Sequence, residues 1–281
     1  MADLYELLDS GDGEKLERFG KVIVRRPSSV CIWKRRHLDI WTKAEVSYDP
    51  KAACWSSKRE LVQDLVWETV FAGCKLKLRL QDNGQVGVFP EHASYLSRLA
   101  EKFASEQVEN YRVLNLFAFT GLATLYFRAQ KAEVTHVDLS KKVIGWAKEN
   151  VALQSESLST LPDVRWICED AVAFLKREVR RESQYHGVII DPPSFSRISK
   201  NDFWKVADIL QDLVESCAAL LKSKGKFLAL TCHDPGISAP MLGNLLHDSF
   251  SRGVVEPVEL SIPEKDSLRI LPAGSCAIWR S

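Results

Sequence analysis

Five apolar β-strand patterns alternate with helix patterns through the last two thirds of the chain, and this alternation constrains the fold more than any other feature. Strands separated by helices pair in parallel, because each helix carries the chain back across the sheet. The sequence therefore predicts an α/β fold with a doubly wound parallel sheet. Its strand patterns lie at residues 112–117, 133–137, 164–168, 187–190 and 226–231, and its helix patterns at 122–129, 141–154, 171–182 and 203–222.

The first 89 residues have a different pattern, dominated by short strands and turns. Residues 75–80 alternate charged and apolar side chains, which is typical of a half-buried strand. A turn at Asp82-Asn83-Gly84 follows, so we expect residues 85–89 to return as the paired strand. We predict two domains, a β-rich N-terminal region over 1–89 and a catalytic domain over 90–281.

Composition narrows the class of protein. Hydrophobic residues make up 46% of the chain and charged residues 27%, as in ordinary globular domains. The longest apolar stretch, residues 113–127, is too short to span a bilayer, and no secretory signal pattern stands at the N-terminus. Seven cysteines occur singly, without a Cys-x-x-Cys pair. We therefore expect reduced thiols, a cytoplasmic location, and neither a bound metal nor a membrane partner.

The net charge of the whole chain is +1, but the charges are unevenly distributed and residues 18–59 form a basic segment. That segment holds 11 Lys and Arg against 3 Asp and Glu, and Lys34, Arg35 and Arg36 lie in it between two tryptophans. Basic and aromatic side chains together suit phosphate contacts and base stacking, which predicts RNA binding. The alternative is an ordinary solvated strand face with no ligand.

The first strand of the alternating region leads through a turn at Gly121 into a helix. The G-x-G-x-x-G pattern of dinucleotide sites is absent there. A single tight turn before a helix N-terminus suits a ligand with a carboxylate and no phosphate, such as S-adenosylmethionine. The candidate cofactor contacts in this loop are Asn115, Phe117, Phe119, Thr120 and Gly121.

Acidic residues end the next two strands. Asp138, followed by Leu139 and Ser140, is placed to accept both hydroxyls of a ribose. Asp170, followed by Ala171, is placed to accept the exocyclic amine of an adenine. For each acid the alternative is a helix N-cap, with Asp138 or Ser140 capping the first of the two helices.

The candidate catalytic and substrate-binding residues lie at the ends of the fourth and fifth strands. Asp191 is followed by two prolines that fix the backbone, so its carboxylate and nearby carbonyls are predicted to hold a planar polar ring. Cys232 ends the fifth strand beside His233 and is a candidate nucleophile, or otherwise an inert core thiol. The predicted substrate contacts next to Asp191 are Pro192, Pro193, Ser194 and Phe195.

These motifs resemble those of class I S-adenosylmethionine-dependent methyltransferases, and most of all the RlmI/RlmK-type large-subunit ribosomal RNA methyltransferases, in a branch without a PUA domain. The resemblance extends from about Gly84 to the C-terminus. It implies a Rossmann-like seven-stranded sheet closed by an antiparallel hairpin at 254–262 and 276–279, and methyl transfer to RNA. Residues 87–92 resemble the family segment that borders the cofactor, which implies contacts from Phe89 and Glu91.

Cytosine C5 is the leading acceptor that this resemblance implies. Cys232 would attack C6 of the ring and Asp191 would hold the base, although Asp234 stands where a second family cysteine would fall. One alternative is a guanine or adenine nitrogen, which needs no covalent enzyme adduct. Two others are a non-catalytic S-adenosylmethionine- or RNA-binding module and a small-molecule methyltransferase.

Overall fold

The computed structural model describes residues 4–58, 65–105, 110–154, 161–197, 203–221 and 223–281. The chain divides into two compact units. The first unit comprises Met1–Ala93, Glu149–Gln154 and Ser261–Pro272, and the second Ser94–Lys148, Ser155–Leu260 and Ala273–Ser281. The first division falls four residues after position 89, and two later segments of the predicted second domain belong to the first unit.

The first unit is built on a sheet whose five described strands follow chain order. Its first three strands and its last two pair antiparallel, while the third and fourth are parallel. A short helix, α1 (Leu38–Trp41), precedes the fourth strand, and a separate pair, β6 (Val66–Phe71) and β7 (Cys74–Arg79), follows the fifth. The five strands are β1 (Tyr5–Gly11), β2 (Glu14–Phe19), β3 (Val22–Pro27), β4 (Val46–Asp49) and β5 (Cys54–Ser57).

The predicted strand at 85–89 is wrong. β7 pairs instead with β6, which precedes it, through a turn at Ala72 and Gly73, where both φ angles are positive. After β7, the Gln81 N–H donates to the Gln85 carbonyl at 2.9 Å and closes a local turn. The Arg79 N–H also donates to the Val86 carbonyl at 3.2 Å, so the Asp-Asn-Gly turn does reverse the chain beside the end of β7, but residues 85–89 do not continue as a strand.

The second unit contains the predicted sheet. Seven strands of the described residues lie in the order β10-β9-β8-β11-β14-β16-β15. The first five of these pair in parallel, and β16 pairs antiparallel with β14, which confirms the Rossmann-like α/β architecture. The strands are β8 (Arg112–Leu116), β9 (Glu133–Asp138), β10 (Arg165–Cys168), β11 (Gly187–Ile190), β14 (Phe227–Cys232), β15 (Val254–Pro263) and β16 (Ile270–Arg280).

Helices connect these strands, and the apolar faces of three of them pack on one side of the sheet in a continuous core. The helix predicted from residue 203 begins at Val206, because 203–205 form β13 (Phe203–Lys205) against β12 (Phe195–Arg197). Among the described residues, no helix combines the length and apolarity needed to cross a bilayer. The helices are α2 (His92–Ser105), α3 (Leu122–Ala129), α4 (Lys141–Ala152), α5 (Ala171–Arg180), α6 (Val206–Leu221) and α7 (Ala239–Ser249).

The strand order reverses between β8 and β11, because the chain leaves β8 toward one edge of the sheet and later returns on its other side. A crevice opens beyond the carboxyl ends of the strands at such a reversal, and ligands of open α/β sheets bind there. We call this edge, where β8, β9, β10, β11 and β14 end, the carboxyl rim.

Candidate functional site

The loop after β8 turns sharply before it enters α3. Phe117, Phe119 and Gly121 have φ angles of 54°, 49° and 88°, in the left-handed region. That region is costly for a residue with a side chain, and such strain is concentrated at ligand sites. Gly121 is the N-cap of α3, and a Cβ there would lie 3.2 Å from the Cβ of Ala147. The turn therefore depends on glycine.

A buried polar row supports this loop. Asn115 on β8 is the register partner of His136 on β9, and both side chains contact the Thr124 hydroxyl of α3, at 3.0 and 2.9 Å. Burial lowers the pKa of His136 to about 3, so the ring is neutral at physiological pH. One N–H of the Asn115 amide is thus engaged beneath the loop, and its predicted contact with the cofactor stays a prediction.

Asp138 ends β9 with its carboxylate held by the backbone. Its Oδ2 accepts from the Phe119 N–H and its Oδ1 from the Ser140 N–H, both at 2.9 Å. Burial raises the pKa of Asp138, and these backbone hydrogen bonds oppose the rise. Ser140 accepts from the Val143 N–H at 3.3 Å and so caps α4, which leaves Asp138 aimed along the rim. Leu139 between them is 59% exposed, an apolar surface beside the acid.

Asp170 follows β10 and caps α5. Its Oδ1 accepts from the Ala173 N–H at 2.9 Å, and Ala171 is buried at the first helical position. The N-cap interpretation of Asp170 is therefore confirmed. Because capping engages one carboxylate oxygen, a contact from Asp170 to an adenine amine stays a prediction.

Asp191 follows β11 and meets two side chains from the end of β14. The Thr231 hydroxyl donates to Oδ1 of Asp191, and Nε2 of His233 lies 3.3 Å from the same oxygen. Parallel pairing of Ile190 with Leu230 sets this register, since the next residue of each strand is then adjacent.

The prolines after Asp191 differ in environment. Pro192 is buried and Pro193 is exposed, while the Ser194 carbonyl accepts from the Val206 N–H at 3.0 Å. Phe195 begins β12, and its side chain lies outside the described part of the structure. The predicted contact of Phe195 with a substrate ring therefore stays a prediction.

Cys232, the candidate nucleophile, is fully buried in the core of the second unit. Burial raises the pKa of its thiol, so the reactive thiolate is disfavoured. His233, considered from the sequence as a neighbour of this thiol, instead faces Asp191. The reason is that adjacent residues of a strand end point to opposite sides. Burial favours the alternative of an inert core thiol, and a nucleophilic role of Cys232 stays a prediction.

The basic segment lies in the first unit, where ion pairs among the described residues engage five of its eleven basic side chains. Arg35 forms an ion pair with Glu14 and stacks over Trp41 at 4.0 Å. Trp41 is buried and its indole donates to Asp9, so base stacking on Trp41 is excluded. Of the three consecutive basic residues, Lys34 is 93% exposed, and Arg36 donates to the Ser267 hydroxyl at 2.8 Å.

Phe89 and Glu91 also lie in the first unit. The Phe89 and His92 rings are 5.4 Å apart, and Glu91 is buried. Their predicted contacts with the cofactor stay predictions.

The groups along the carboxyl rim fit an adenosyl amino acid. Glycine at the N-cap has no side chain to occupy the first amides of α3, which suit a carboxylate. Asp138 supplies an acceptor for hydroxyls, and exposed Leu139 supplies an apolar surface for a base. Thr231 and His233 were not predicted as partners of Asp191, because a sequence alone does not give strand adjacency.

Comparison with known proteins agrees with this geometry. The family model described as "S-adenosylmethionine-dependent methyltransferase" matches residues 15–266, well over half of the chain. A ribosomal RNA large subunit methyltransferase K/L from Pseudoalteromonas atlantica is 32% identical over 194 residues, which cover 68% of this chain and 24% of that protein. The similar segment is thus about a quarter of the length of that curated relative.

Solved structures are similar over the whole chain. A crystal structure of a SAM-dependent methyltransferase from Agrobacterium tumefaciens has a TM-score of 0.91 and 35% identity, covering 100% of this chain and 91% of that one. A putative SAM-dependent methyltransferase from Streptococcus mutans has a TM-score of 0.73 at 13% identity, covering 99% and 75%. The second likeness concerns the fold alone.

Proposed function

This chain belongs to the S-adenosylmethionine-dependent methyltransferase family, and from that premise we propose that it methylates a nitrogen of a base in RNA. S-adenosylmethionine is the cofactor, and when bound it supplies an electrophilic methyl group on a sulfonium sulfur. The helix α3 N-terminus would hold the amino acid carboxylate, and Asp138 the ribose. Asp191 would hold the base, with the Pro192 and Pro193 backbone fixed behind it.

Burial of Cys232 is the single observation that favours nitrogen over cytosine C5. Methylation at C5 needs a nucleophile that adds to C6, and an exposed thiolate is the side chain suited to that step. Cys232 is enclosed in the core and its thiol pKa is raised, so it is poorly suited to attack a base. A nitrogen acceptor has its own lone pair and needs only an acceptor for its hydrogens, which the Asp191 carboxylate provides.

RNA as the substrate class is supported by two observations. The curated relatives are ribosomal RNA large subunit methyltransferases, although the similar segment is about a quarter of their length. In this chain, the basic segment presents Lys34 and Arg36 on the surface of the first unit. We infer ribosomal RNA as the partner, and a cytoplasmic location follows from that inference.

Methyl transfer from labelled S-adenosylmethionine tests this proposal. Ribosomal RNA from cells that lack the gene is incubated with the purified protein, digested to nucleosides and analysed by mass spectrometry. We expect one N-methylated purine, absent with the Asp191→Ala variant. Labelled 5-methylcytidine would instead contradict nitrogen methylation and support methylation at cytosine C5. Binding of the cofactor without incorporation into any RNA would favour a non-catalytic module, and incorporation only into small molecules would exclude RNA.

A further inference from the structure

His233 has a defined position beside the acid of the proposed base site. Its Nε2 lies 3.3 Å from Oδ1 of Asp191, the oxygen that also accepts from the Thr231 hydroxyl. The side chain of Asp191 is 13% exposed and that of His233 is 26% exposed, while Nε2 of His233 is itself buried, so the imidazole nitrogen and the carboxylate face each other away from solvent.

The backbone of β16 fixes the orientation of this ring. Nδ1 of His233 lies 2.9 Å from the Ala273 carbonyl. Because a carbonyl oxygen only accepts, we assign a hydrogen to Nδ1. Nε2 then faces Asp191 with its lone pair when the Asp191 carboxyl is protonated, and as an N–H donor when the carboxylate is restored. The next residue is Gly274, where a Cβ would lie 2.9 Å from Nδ1 of His233 and 2.9 Å from the Cys232 carbonyl. Glycine thus permits β16 to lie against the ring.

The turn after β14 is also held in place. The Gly236 N–H donates to Oδ1 of Asp234 at 2.8 Å, and the Ser275 hydroxyl donates to the Ile237 carbonyl at 2.9 Å. Asp234, the nearest acid in sequence, is therefore engaged within its own turn. These contacts hold His233 in one orientation while its Nε2 faces Asp191.

The proposed reaction requires a destination for one proton. The attacking nitrogen forms the N–C bond with its lone pair, the carbon–sulfur bond breaks with both electrons passing to sulfur, and one N–H proton leaves. A carboxylate that holds the amine can accept this proton. Asp191 must then lose it before another cycle, and the imidazole at 3.3 Å is the adjacent base.

We propose that His233 is a positioning residue that orients Asp191 and accepts, through it, the proton that the methylated nitrogen releases. The imidazolium formed pairs with the restored carboxylate, and its Nε2 proton passes to water once the product has left the crevice. This inference rests on the proposed nitrogen methylation. It assigns acceptance of this proton to His233, a role that neither Cys232 nor the cofactor-binding loop supplies.

Two substitutions separate proton acceptance from a structural role. His233→Asn keeps an amide N–H for the Ala273 carbonyl but has no basic lone pair, and His233→Ala removes both. We expect kcat to fall about 100-fold in each, within the usual range for general acid–base groups, with KM for RNA and Kd for S-adenosylmethionine unchanged. Added imidazole should restore part of the activity of His233→Ala. His247→Asn, at an exposed position of α7, is the matched control and should keep the normal kcat.

Three results would overturn the role of His233. One is a normal kcat in His233→Asn, and another is a loss in His233→Ala that imidazole does not restore. The third result does not require an active enzyme. Nitrogen-15 NMR of the wild-type protein, with the signal assigned by its loss in His233→Asn, should show that the neutral ring is protonated at Nδ1. Protonation at Nε2 would exclude the role. An inactive wild-type protein with the Nδ1 tautomer would instead count against nitrogen methylation alone.

Discussion

The backbone N–H of Phe119 donates a 2.9 Å hydrogen bond to Oδ2 of Asp138, which joins the loop after β8 to the end of β9. Phe119 has a positive φ, which is a strained backbone conformation, and the Asp138 carboxylate holds this same residue through its N–H. The acid predicted to bind ribose therefore also fixes the loop predicted to hold the rest of the cofactor.

Replacing Asp138 should weaken cofactor binding through both effects. In Asp138→Ala the hydroxyl acceptor and the bond to the Phe119 N–H are lost together, and we expect Kd for S-adenosylmethionine to rise at least about tenfold, or about 1.4 kcal/mol. Isothermal titration calorimetry measures this. Asp163→Ala, at an exposed position of the same unit, should leave Kd unchanged. Equal affinities of Asp138→Ala and wild type would contradict the proposed pocket.

Cofactor affinity should decrease as the pH is lowered. Burial raises the pKa of Asp138 above its usual value of 3.8, so this carboxyl gains its proton at a higher pH than an exposed aspartate. The protonated form accepts poorly from ribose hydroxyls. Affinity should be full above the raised pKa and fall as the pH passes down through it. Calorimetry at several pH values checks this, and Asp138→Asn should show a flatter profile.

Gly121 and Gly145 offer a matched pair of substitutions. Gly121→Ala places a Cβ at φ 88° and 3.2 Å from Ala147, and we expect a loss of about 1–2 kcal/mol in unfolding free energy and weaker cofactor binding. Gly145 is inside α4 with nothing within 4 Å of an added Cβ. Gly145→Ala should instead stabilise by about 0.5–1 kcal/mol. Chemical denaturation measures both, and equal effects would contradict the strain argument.

Cys232→Ala distinguishes the two acceptor chemistries. If the target is a nitrogen, methyl transfer should continue, with a loss of stability of about 1 kcal/mol that is usual for a core substitution. Cys217→Ala, which truncates another fully buried thiol of the same unit, should have a similar effect on stability. Incorporation of labelled methyl groups is the measurement. Complete loss of activity in Cys232→Ala alone would identify the thiol as a nucleophile.

Lys34 and Arg35 should behave differently although they are adjacent. Lys34 is exposed, so Lys34→Ala should reduce the slope of log affinity against log salt by about 1 if it contacts an RNA phosphate. Arg35 is 19% exposed between Glu14 and Trp41, so Arg35→Ala should lower stability and leave the slope unchanged. Filter binding over a range of salt concentrations and thermal denaturation separate the two. An unchanged slope in Lys34→Ala with a reduced slope in Arg35→Ala would exclude Lys34 as an RNA contact.

The predicted elements that the structure confirms are those with long, regular patterns. Apolar strands alternating with helices were sufficient to place β8, β9, β10, β11 and β14 within a few residues, because burial on both faces leaves a strong signal. The strand at 85–89 was wrong because a turn motif is local and does not specify the partner of β7. The basic segment with its two tryptophans was interpreted as suited to base stacking, but the indole of one of them, Trp41, is buried against Asp9.

The sequence by itself determined the α/β fold and placed acids at the ends of β9, β10 and β11, since strand periodicity and chain order are local properties. Tertiary structure decided which groups meet. Pairing of β11 with β14 brings Thr231 and His233 to Asp191 across 40 residues of chain or more, and the same strand buries Cys232 in the core. A side chain's direction and neighbours depend on which strands are adjacent, and only the folded sheet fixes that adjacency.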